Sequence, residues 1–361
     1  MHESLAVTCG QLIIGGFQGT ALSPTYARAL ERGERGGAIL FRRNLPQGLE
    51  ALAHLNATIV AASRADLSPL IGVDQEGGRV ARIGLPALRV PPMQTLAKLG
   101  DEAFAERVAT AMGTELATLG FTTSFAPVLD VHSHPNNPVI GDRSFGTNAD
   151  VVARYGVAFC AGLRKAGVFA CGKHFPGHGD THVDSHFDLP VIDHDRARLD
   201  AIELVPFRAA ALAGIESLMT AHVVVSKIDP EVPATLSRTI CTELLRGELA
   251  FRGVLISDDL EMKAVADRYP VEESAVLAVA AGCDLLLICS DEALQTRAHE
   301  ALVLRAEKDS TFRMRCEEAF TRSLELRKRF PPRPSPANVG RVVGGQESLA
   351  IARELDLRSA S

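Results

Sequence analysis

The sequence predicts an α/β protein that folds as one (β/α)8 barrel of the TIM type with a helical tail at its carboxyl end. Short apolar or β-branched runs alternate with longer helical patterns along most of the 361 residues, which is typical of a parallel sheet with crossover helices. There are eight such runs, the strand number of the barrel. Polar motifs follow five of them, and barrel enzymes carry their chemistry at the carboxyl ends of strands. A barrel fits this alternation and the length of the chain better than a doubly wound sheet does.

The predicted elements follow one another in a regular order. The eight strands are predicted at residues 11–14, 37–41, 70–74, 122–129, 168–173, 217–221, 254–257 and 284–289. Segments rich in Ala, Leu, Glu and Arg predict helices near residues 23–32, 46–63, 101–118, 149–166, 195–213, 238–248, 271–281 and 291–307. We expect the barrel to occupy residues 1–330. Residues 331–361 predict a proline-rich arm and a tail helix, from about residue 346 to 357, packed on the barrel.

Composition narrows the class of protein. The chain has 46% apolar residues, 23% charged residues and a formal charge of −6, so it lacks the basic surplus that nucleic-acid binding needs. No run is long enough to span a membrane, and the amino terminus does not resemble a signal peptide. We therefore expect a cytoplasmic protein with no nucleic-acid or membrane partner. The seven cysteines are irregularly spaced and are expected to be reduced and mostly buried.

The segment 173–190, KHFPGHGDTHVDSHFDLP, contains four of the eleven histidines together with three aspartates and a lysine. On a helix, the four-residue spacing of these histidines would align them like metal ligands. Pro176, Gly177 and Gly179 argue against a helix, so the segment is predicted to be a loop. A metal site assembled from the loop and a merely polar surface loop are the alternatives.

Within this loop, Asp184 and His186 are separated by one residue. In an extended backbone, both side chains fall on the same side, so the carboxylate can orient the imidazole and raise its pKa. A histidine held in this way suits a general acid/base. Lys173 and His174 end the fifth predicted strand and should face the same pocket. The lysine is either a hydrogen-bond donor to a sugar or the Schiff-base nucleophile of an aldolase.

Asp258 follows the seventh predicted strand, an apolar run that we expect to be buried in the barrel. A carboxylate at that position is costly unless it has a chemical role, so we predict a catalytic or ligand-binding function for Asp258. The neighbouring Asp259 would point the other way and could cap a helix that starts near Met262.

Two arginine-containing motifs complete the predicted pocket. In VDQEGGRVAR, Asp74 can accept hydrogen bonds from two sugar hydroxyls, and Arg82 can donate to the sugar or clamp the carboxylate. For Arg79, a structural salt bridge and a contact with the sugar are equally good interpretations. Arg143, in GDRSFG, is expected in a position similar to that of Arg82. The sequence predicts no role for three histidines, His178, His182 and His222.

The motifs KHFPGHGDTHVDSH, VDQEGGR, DRSFG and SDDLEM together resemble the family 3 glycoside hydrolases, specifically the bacterial β-N-acetylhexosaminidases of cell-wall recycling. The resemblance runs from about residue 10 to 310. It implies that Asp258 is the nucleophile of a retaining double displacement and that His186, assisted by Asp184, is the acid/base. It also implies sugar contacts from a further set of residues: Asp74, Arg82, Arg143, Lys173 and His174.

The resemblance implies an exo-acting enzyme that needs neither cofactor nor metal and removes a terminal β-N-acetylglucosamine. The substrate would be a small carbohydrate, a muropeptide such as a GlcNAc–anhydro-muramoyl-peptide or a chitobiose-like sugar. The absence of Trp and the presence of only three Tyr fit a small pocket for one sugar better than an extended aromatic platform. The alternatives are a phosphorylase or β-glucosidase of the same family, a metal hydrolase, and a non-catalytic sugar-binding barrel. The sequence does not indicate an oligomeric state.

Overall fold

The structure is a computed structural model that describes residues 3–45, 47–181 and 189–360. Asp184 and His186, and the unassigned His182, therefore lie outside the described residues.

Eight short apolar segments form a closed, parallel barrel in which each strand pairs with its neighbours in chain order. The strands are β1 (Ile13–Gly15), β2 (Gly37–Leu40), β3 (Leu70–Val73), β4 (Thr123–Ser124), β5 (Phe169–Phe175), β6 (Ser217–Thr220), β7 (Val254–Asp259) and β8 (Leu285–Ile288). β1 closes the barrel by pairing with both β2 and β8. The predicted fold class is confirmed, and each strand lies where an apolar run predicted one.

β4 is much shorter than the predicted run over residues 122–129. Only Thr123 and Ser124 pair regularly with β3 and β5. Pro127 has no N–H to donate to a neighbouring strand, which interrupts the ladder. The chain nevertheless stays aligned with β5, because the N–H of Lys173 donates to the carbonyl of Pro127 and the N–H of Leu129 donates to that of Lys173.

Helices surround the barrel, and several begin at a capping side chain such as Ser23, Asp101, Asn148 or Asp291. Their bounds are Leu5–Gly10, Pro24–Glu31, Leu49–Ala62, Met93–Lys98, Glu102–Leu119, Ala149–Lys165, Arg196–Ala201, Leu204–Leu212, Thr239–Glu248 (π-helical), Lys263–Ala266, Val271–Ala281, Glu292–Lys308, Ser310–Arg329, Val339–Val342 and Gln346–Ala360. The predicted helix over 195–213 is thus two helices. The predicted helical tail is present.

Apolar side chains form one core inside the barrel and a larger one between the strands and the helices. Leu326 and Phe330, at the end of the helix Ser310–Arg329, close the amino-terminal end of the barrel interior, where Phe330 meets the edge of Phe169. All seven cysteines are buried and free, as expected. Among the described residues, no helix is long and apolar enough to cross a membrane.

Within the described ranges, two further strand pairs lie outside the barrel. One is a parallel pair, Val191–Ile192 with Val224–Val225. The other is an antiparallel hairpin, Gln75–Gly77 with Val80–Ala81, which directly follows β3. We call residues 75–81 the hairpin, because it forms one wall of the pocket described next.

Candidate active site

The carboxyl ends of the strands surround a cavity of about 330 Å³. All six predicted site residues that the structure describes line it: Asp74, Arg82, Arg143, Lys173, His174 and Asp258. They come from four different strands or the loops after them, so the barrel brings together residues up to 184 positions apart in sequence, from Asp74 to Asp258. The placement of Asp184 and His186 relative to this cavity is not described.

Asp258 lies near the end of β7, where the pairing register with β8 shifts between Ile256 and Asp259. Its Oδ1 accepts a hydrogen bond from the N–H of Asp259 at 2.8 Å. Burial by itself raises the pKa of this carboxyl, but His222, His174, the N–H of Asp259 and Lys173 together outweigh burial and hold the pKa below its ordinary value. Asp258 therefore presents an ionised carboxylate to the cavity at neutral pH.

Asp259 differs from its predicted role. Its side chain also lines the cavity, and its Oδ1 accepts from the N–H of Glu261 at 3.1 Å and from that of Cys289 at 3.2 Å. The helix that follows begins at Lys263, with Met262 rather than Asp259 as its N-cap residue. Asp259 thus stabilises the turn after β7 and joins it to the end of β8, rather than capping the helix.

Side chains of the hairpin and of its two flanking residues, Asp74 and Arg82, point to two sides in alternation. Asp74, Glu76, Val80 and Arg82 line the cavity, whereas the residues between them face away. Asp74 is clamped by two cations, with its Oδ1 at 3.1 Å from Nζ of Lys173 and its Oδ2 at 3.2 Å from Arg82. These contacts place Asp74, Arg82 and Lys173 side by side, with Arg82 clamping the Asp74 carboxylate.

Glu76 is a member of the site that the sequence reasoning missed. Its carboxylate accepts two hydrogen bonds from Arg143, at 2.8 and 2.9 Å, and lies 2.7 Å from Nζ of Lys173. Burial favours a higher pKa, but the charges of Arg143 and Lys173 bring the pKa of Glu76 well below its ordinary value. The signal was available: Glu76 is two residues after Asp74, so both belong to the same face of an extended strand.

Lys173 stays charged in this setting. Its side chain is buried, which disfavours the ammonium, yet Glu76 and Asp74 raise the pKa of Lys173 above its ordinary value. A Schiff-base nucleophile has to be a neutral amine. The geometry therefore favours hydrogen-bond donation by Lys173 over the aldolase alternative.

Asp130 is the second member that was missed. It is fully buried just after β4, and its Oδ2 lies 2.7 Å from Nδ1 of His174. The same carboxylate accepts from the backbone N–H of His174 and from that of His178, the latter at 2.6 Å. Asp130 thus orients the His174 ring and holds the start of the loop. An acid directly after an apolar run was the available signal.

Two histidines without a predicted role have defined surroundings. His178 lines the cavity, with Nδ1 at 2.7 Å from the hydroxyl of Thr181. Burial, aided by nearby His174, lowers the pKa of His178 to about 4, so this ring is neutral at pH 7. His222 is buried, with Nε2 at 2.9 Å from the backbone carbonyl of Asp259 and Nδ1 at 2.8 Å from Thr235. His222 therefore supports the β7 turn from beneath.

Arg79 has a structural role. Its guanidinium donates to the carbonyls of Val139 and Ile140, at 2.5 and 3.2 Å, and lies 3.4 Å from Asp142. It thereby joins the hairpin to the loop that carries Arg143. Among the described residues, no three His, Cys, Asp or Glu side chains are grouped so as to hold a metal ion.

Comparison with known proteins identifies the family. The family described as "Glycosyl hydrolase family 3 N terminal domain" matches residues 5–325. A "Beta-hexosaminidase A" of Pseudoalteromonas piscicida is 40% identical over 288 residues, which make up 74% of this chain and 48% of that relative. A "Beta-hexosaminidase" of Neisseria meningitidis serogroup C is 42% identical over 262 residues, or 71% of each chain.

A solved structure gives the same result for the fold. A glycoside hydrolase family 3 β-N-acetylglucosaminidase from Paenibacillus sp. superposes with a TM-score of 0.93 at 38% identity, covering 99% of this chain and 69% of that one. This chain spans about half the length of the P. piscicida relative. The chain therefore belongs to glycosyl hydrolase family 3 and is a glycoside hydrolase, with named β-hexosaminidases among its relatives.

Proposed function

We propose that the protein is an exo-acting β-N-acetylhexosaminidase that releases a terminal β-N-acetylglucosamine with retention of configuration. Asp258 attacks the anomeric carbon and forms a covalent glycosyl-enzyme, which water then hydrolyses. His186, oriented by Asp184, protonates the leaving oxygen in the first step and takes a proton from water in the second. The natural substrates are peptidoglycan fragments such as GlcNAc–anhydro-muramoyl-peptides, handled in the cytoplasm.

The observation that carries this proposal is the ionised Asp258 in a cavity otherwise lined by hydrogen-bonding groups for a sugar. A nucleophilic carboxylate has to be deprotonated before it attacks. Asp74, Lys173 and His174 face the same space, and their charged or polar atoms are held in place by Arg82, Glu76 and Asp130. Fixed donors and acceptors of this kind recognise hydroxyl groups.

The size of the cavity supports an exo-acting enzyme. About 330 Å³ is at the small end of ligand pockets and suits one sugar ring better than a long chain of sugars. The names of the relatives support N-acetylglucosamine as that sugar, since they are called β-hexosaminidases or β-N-acetylglucosaminidase.

The proposed acid/base belongs to a segment whose start is close to the cavity. Thr181 is the last described residue before residues 182–188, and its hydroxyl contacts His178 in the cavity wall. Asn137 donates to the carbonyls of His178 and Thr181, at 2.9 and 3.1 Å. These contacts anchor the chain next to the site at the point where the Asp184 and His186 segment begins.

The decisive experiment compares Asp258→Ala with the wild type on an aryl β-N-acetylglucosaminide. We expect a loss of roughly a thousandfold or more in kcat, and NMR of the wild-type reaction should show the β-anomer forming first. Added azide should partly restore aryl release by Asp258→Ala and yield the α-glycosyl azide, because azide attacks from the face that the carboxylate vacates. Asp267→Ala, which changes an exposed acid at the end of the short helix after β7, is the matched control and should retain full activity.

Other outcomes would point elsewhere. Near wild-type turnover by Asp258→Ala, or an α-anomer as first product, contradicts the proposal. Formation of the sugar 1-phosphate when phosphate is present identifies the protein as a phosphorylase instead. Faster turnover of the aryl β-glucoside identifies a β-glucosidase, and loss of activity with a chelator identifies a metal hydrolase. For His186→Ala we expect a smaller loss than for Asp258→Ala, because an activated aryl leaving group needs little protonation.

A further inference from the structure

We propose that the carboxyl-terminal tail is a positioning element for the sugar site, coupled to the hairpin through Glu115. The tail here means residues 331–360, all of which lie beyond residues 5–325, the part of the chain that matches the family. The proposal rests on the proposed function for the roles of Asp74 and Arg82 at the hairpin.

Glu115 joins the tail to the barrel. It is 3% exposed on the helix Glu102–Leu119. Its Oε1 accepts hydrogen bonds from the N–H of Gly344 at 2.8 Å and from the hydroxyl of Ser348 at 2.5 Å. Its Oε2 accepts from the N–H of Leu88 at 2.8 Å. One carboxylate therefore ties the start of the tail helix to the segment 83–92.

The segment 83–92 in turn supports the hairpin. The N–H of Gly78 donates to the carbonyl of Val90 at 2.9 Å. Gly77 has a φ of +115°, and a Cβ at Gly77 would lie 2.8 Å from the carbonyl oxygen of Pro91. The hairpin turn is thus in close contact with the backbone of the segment 83–92. The contact lies at Val90 and Pro91, two and three residues after Leu88.

The tail contacts the same segment directly. Gly344 has a φ of +68°, and a Cβ at this position would lie 2.4 Å from the carbonyl oxygen of Pro86. Beyond this contact, the tail helix forms one wall of a cavity of about 770 Å³, and Gln75, Arg79 and Ala81 of the hairpin form another. The residues of the hairpin that alternate with these line the sugar cavity, so the hairpin separates the two cavities.

The hairpin needs such support because it is a two-stranded sheet that does not belong to the barrel. An isolated two-stranded hairpin is marginally stable. Glu76 within it and Asp74 and Arg82 beside it make the charged contacts of the site. A small shift of the hairpin would therefore move the sugar-binding groups together, and misplacement of binding groups by about 1 Å is costly to catalysis.

The test compares two variants of the same helix. In Glu115→Gln the carboxamide has a single acceptor oxygen, so either the tail or Leu88 loses its acceptor. We expect KM for the aryl β-N-acetylglucosaminide to rise about threefold to tenfold, with kcat within about twofold. Arg107→Ala instead removes the ion pair between Arg107 and Glu354 of the tail helix and leaves Glu115 intact. It should leave KM unchanged.

Hydrogen–deuterium exchange provides a readout that does not depend on activity. Peptides that cover residues 75–92 should exchange faster in Glu115→Gln than in the wild type or Arg107→Ala, because their link to the tail is weakened. If the wild type fails to cleave the sugar, the proposed function is wrong, and the exchange comparison still tests the coupling. Ser348→Ala, which removes one tail donor, takes the place of Glu115→Gln if that variant does not fold.

Two results would overturn the proposal. One is unchanged exchange at residues 75–92 in both Glu115→Gln and Ser348→Ala. The other is an equal rise in KM for Arg107→Ala, which would show that any loosening of the tail acts only through general stability.

Discussion

Asp258 and Asp259 are adjacent carboxyl groups whose pKa values are shifted in opposite directions. The imidazoles near Asp258 hold its pKa low. For Asp259, burial together with the nearby Glu261 carboxylate raises the pKa to about 7. At neutral pH, Asp258 is thus ionised, whereas the pKa of Asp259 lies close to neutral pH. Separation of this kind between neighbouring acids is typical of enzyme sites.

The raised pKa of Asp259 predicts a pH-dependent stability. The folded protein holds this proton up to about pH 7, whereas an unfolded Asp loses it near pH 4, so the stability that the proton contributes is lost as the pH rises through this window. Asparagine keeps the Oδ1 acceptor and carries no charge. We expect Asp259→Asn to be more stable than the wild type at pH 8, by roughly 1–2 kcal/mol given the partial exposure of the side chain, and equally stable near pH 4.

Urea unfolding at the two pH values measures this difference. Asp267→Asn, which changes an exposed acid at the end of the short helix after β7, serves as the control and should show no pH-dependent gain. A gain for Asp259→Asn that is equal at both pH values would show that the charge of Asp259 is not the cause.

Glu76 predicts a loss of both binding and stability. In Glu76→Gln the two buried cations, Arg143 and Lys173, lose the carboxylate that both contact. Removing one member of a buried charge cluster costs about 3 kcal/mol or more, and we expect KM for the sugar substrate to rise at least about tenfold as the cations shift. Glu102→Gln breaks the exposed ion pair with Arg154 and should change stability far less, because solvent screens an exposed pair.

Chemical denaturation and steady-state kinetics of the two variants measure these effects. Similar small losses of stability in Glu76→Gln and Glu102→Gln would contradict the role of Glu76 as the charge that holds the site together.

At the scale of elements, the amino-terminal end of the barrel is tied together by one carboxylate. Asp284, just before β8, is fully buried and contacts three arginines, with Arg246 and Arg322 at 2.6 Å and Arg315 at 2.5 Å. Its Oδ2 also accepts from the N–H of Leu255 in β7 at 2.9 Å. Since Arg315 and Arg322 belong to the helix Ser310–Arg329, Asp284 holds that helix against two strands.

Asp284→Asn should therefore reduce stability without changing substrate binding. We expect a loss of about 3–5 kcal/mol, because three arginines lose their buried partner. The affected contacts lie at the end of the barrel opposite the sugar cavity, so KM should stay within about twofold of the wild type. Thermal unfolding and steady-state kinetics provide the two measurements. A raised KM at unchanged stability would contradict this separation between the two ends of the barrel.

The elements themselves were largely predictable, and the deviations have local causes. Apolar runs predicted all eight strands because a parallel strand is buried on both faces and reads as continuous hydrophobic sequence. β4 is shorter than predicted because Pro127 has no N–H to donate to a neighbouring strand. The role of Asp259 as a link between β7 and β8 depends on a register shift between those strands, and no pattern within a single segment predicts such a shift.

At the scale of the whole molecule, closure of the barrel brings the motifs into one site. β1 pairs with β8, so residues at the two ends of the barrel sequence become neighbours, and the loops after β3, β4, β5 and β7 meet over the same opening. Since side chains at carboxyl strand ends converge in this fold, the positions of Asp74, Arg143, Lys173, His174 and Asp258 were predictable as a group. The roles of Asp184 and His186 stay predictions, because they lie outside the described residues.

The sequence by itself determined the fold class, the strand positions and the identity of six described cavity residues, because burial pattern and strand-end position are local properties of the chain. Only the tertiary structure decided which charges meet. The contacts of Glu76 with Arg143, of Asp130 with His174 and of Glu115 with the tail span 67, 44 and up to 233 residues. Such pairings depend on distances of about 3 Å between distant segments, and these distances exist only once the barrel has closed.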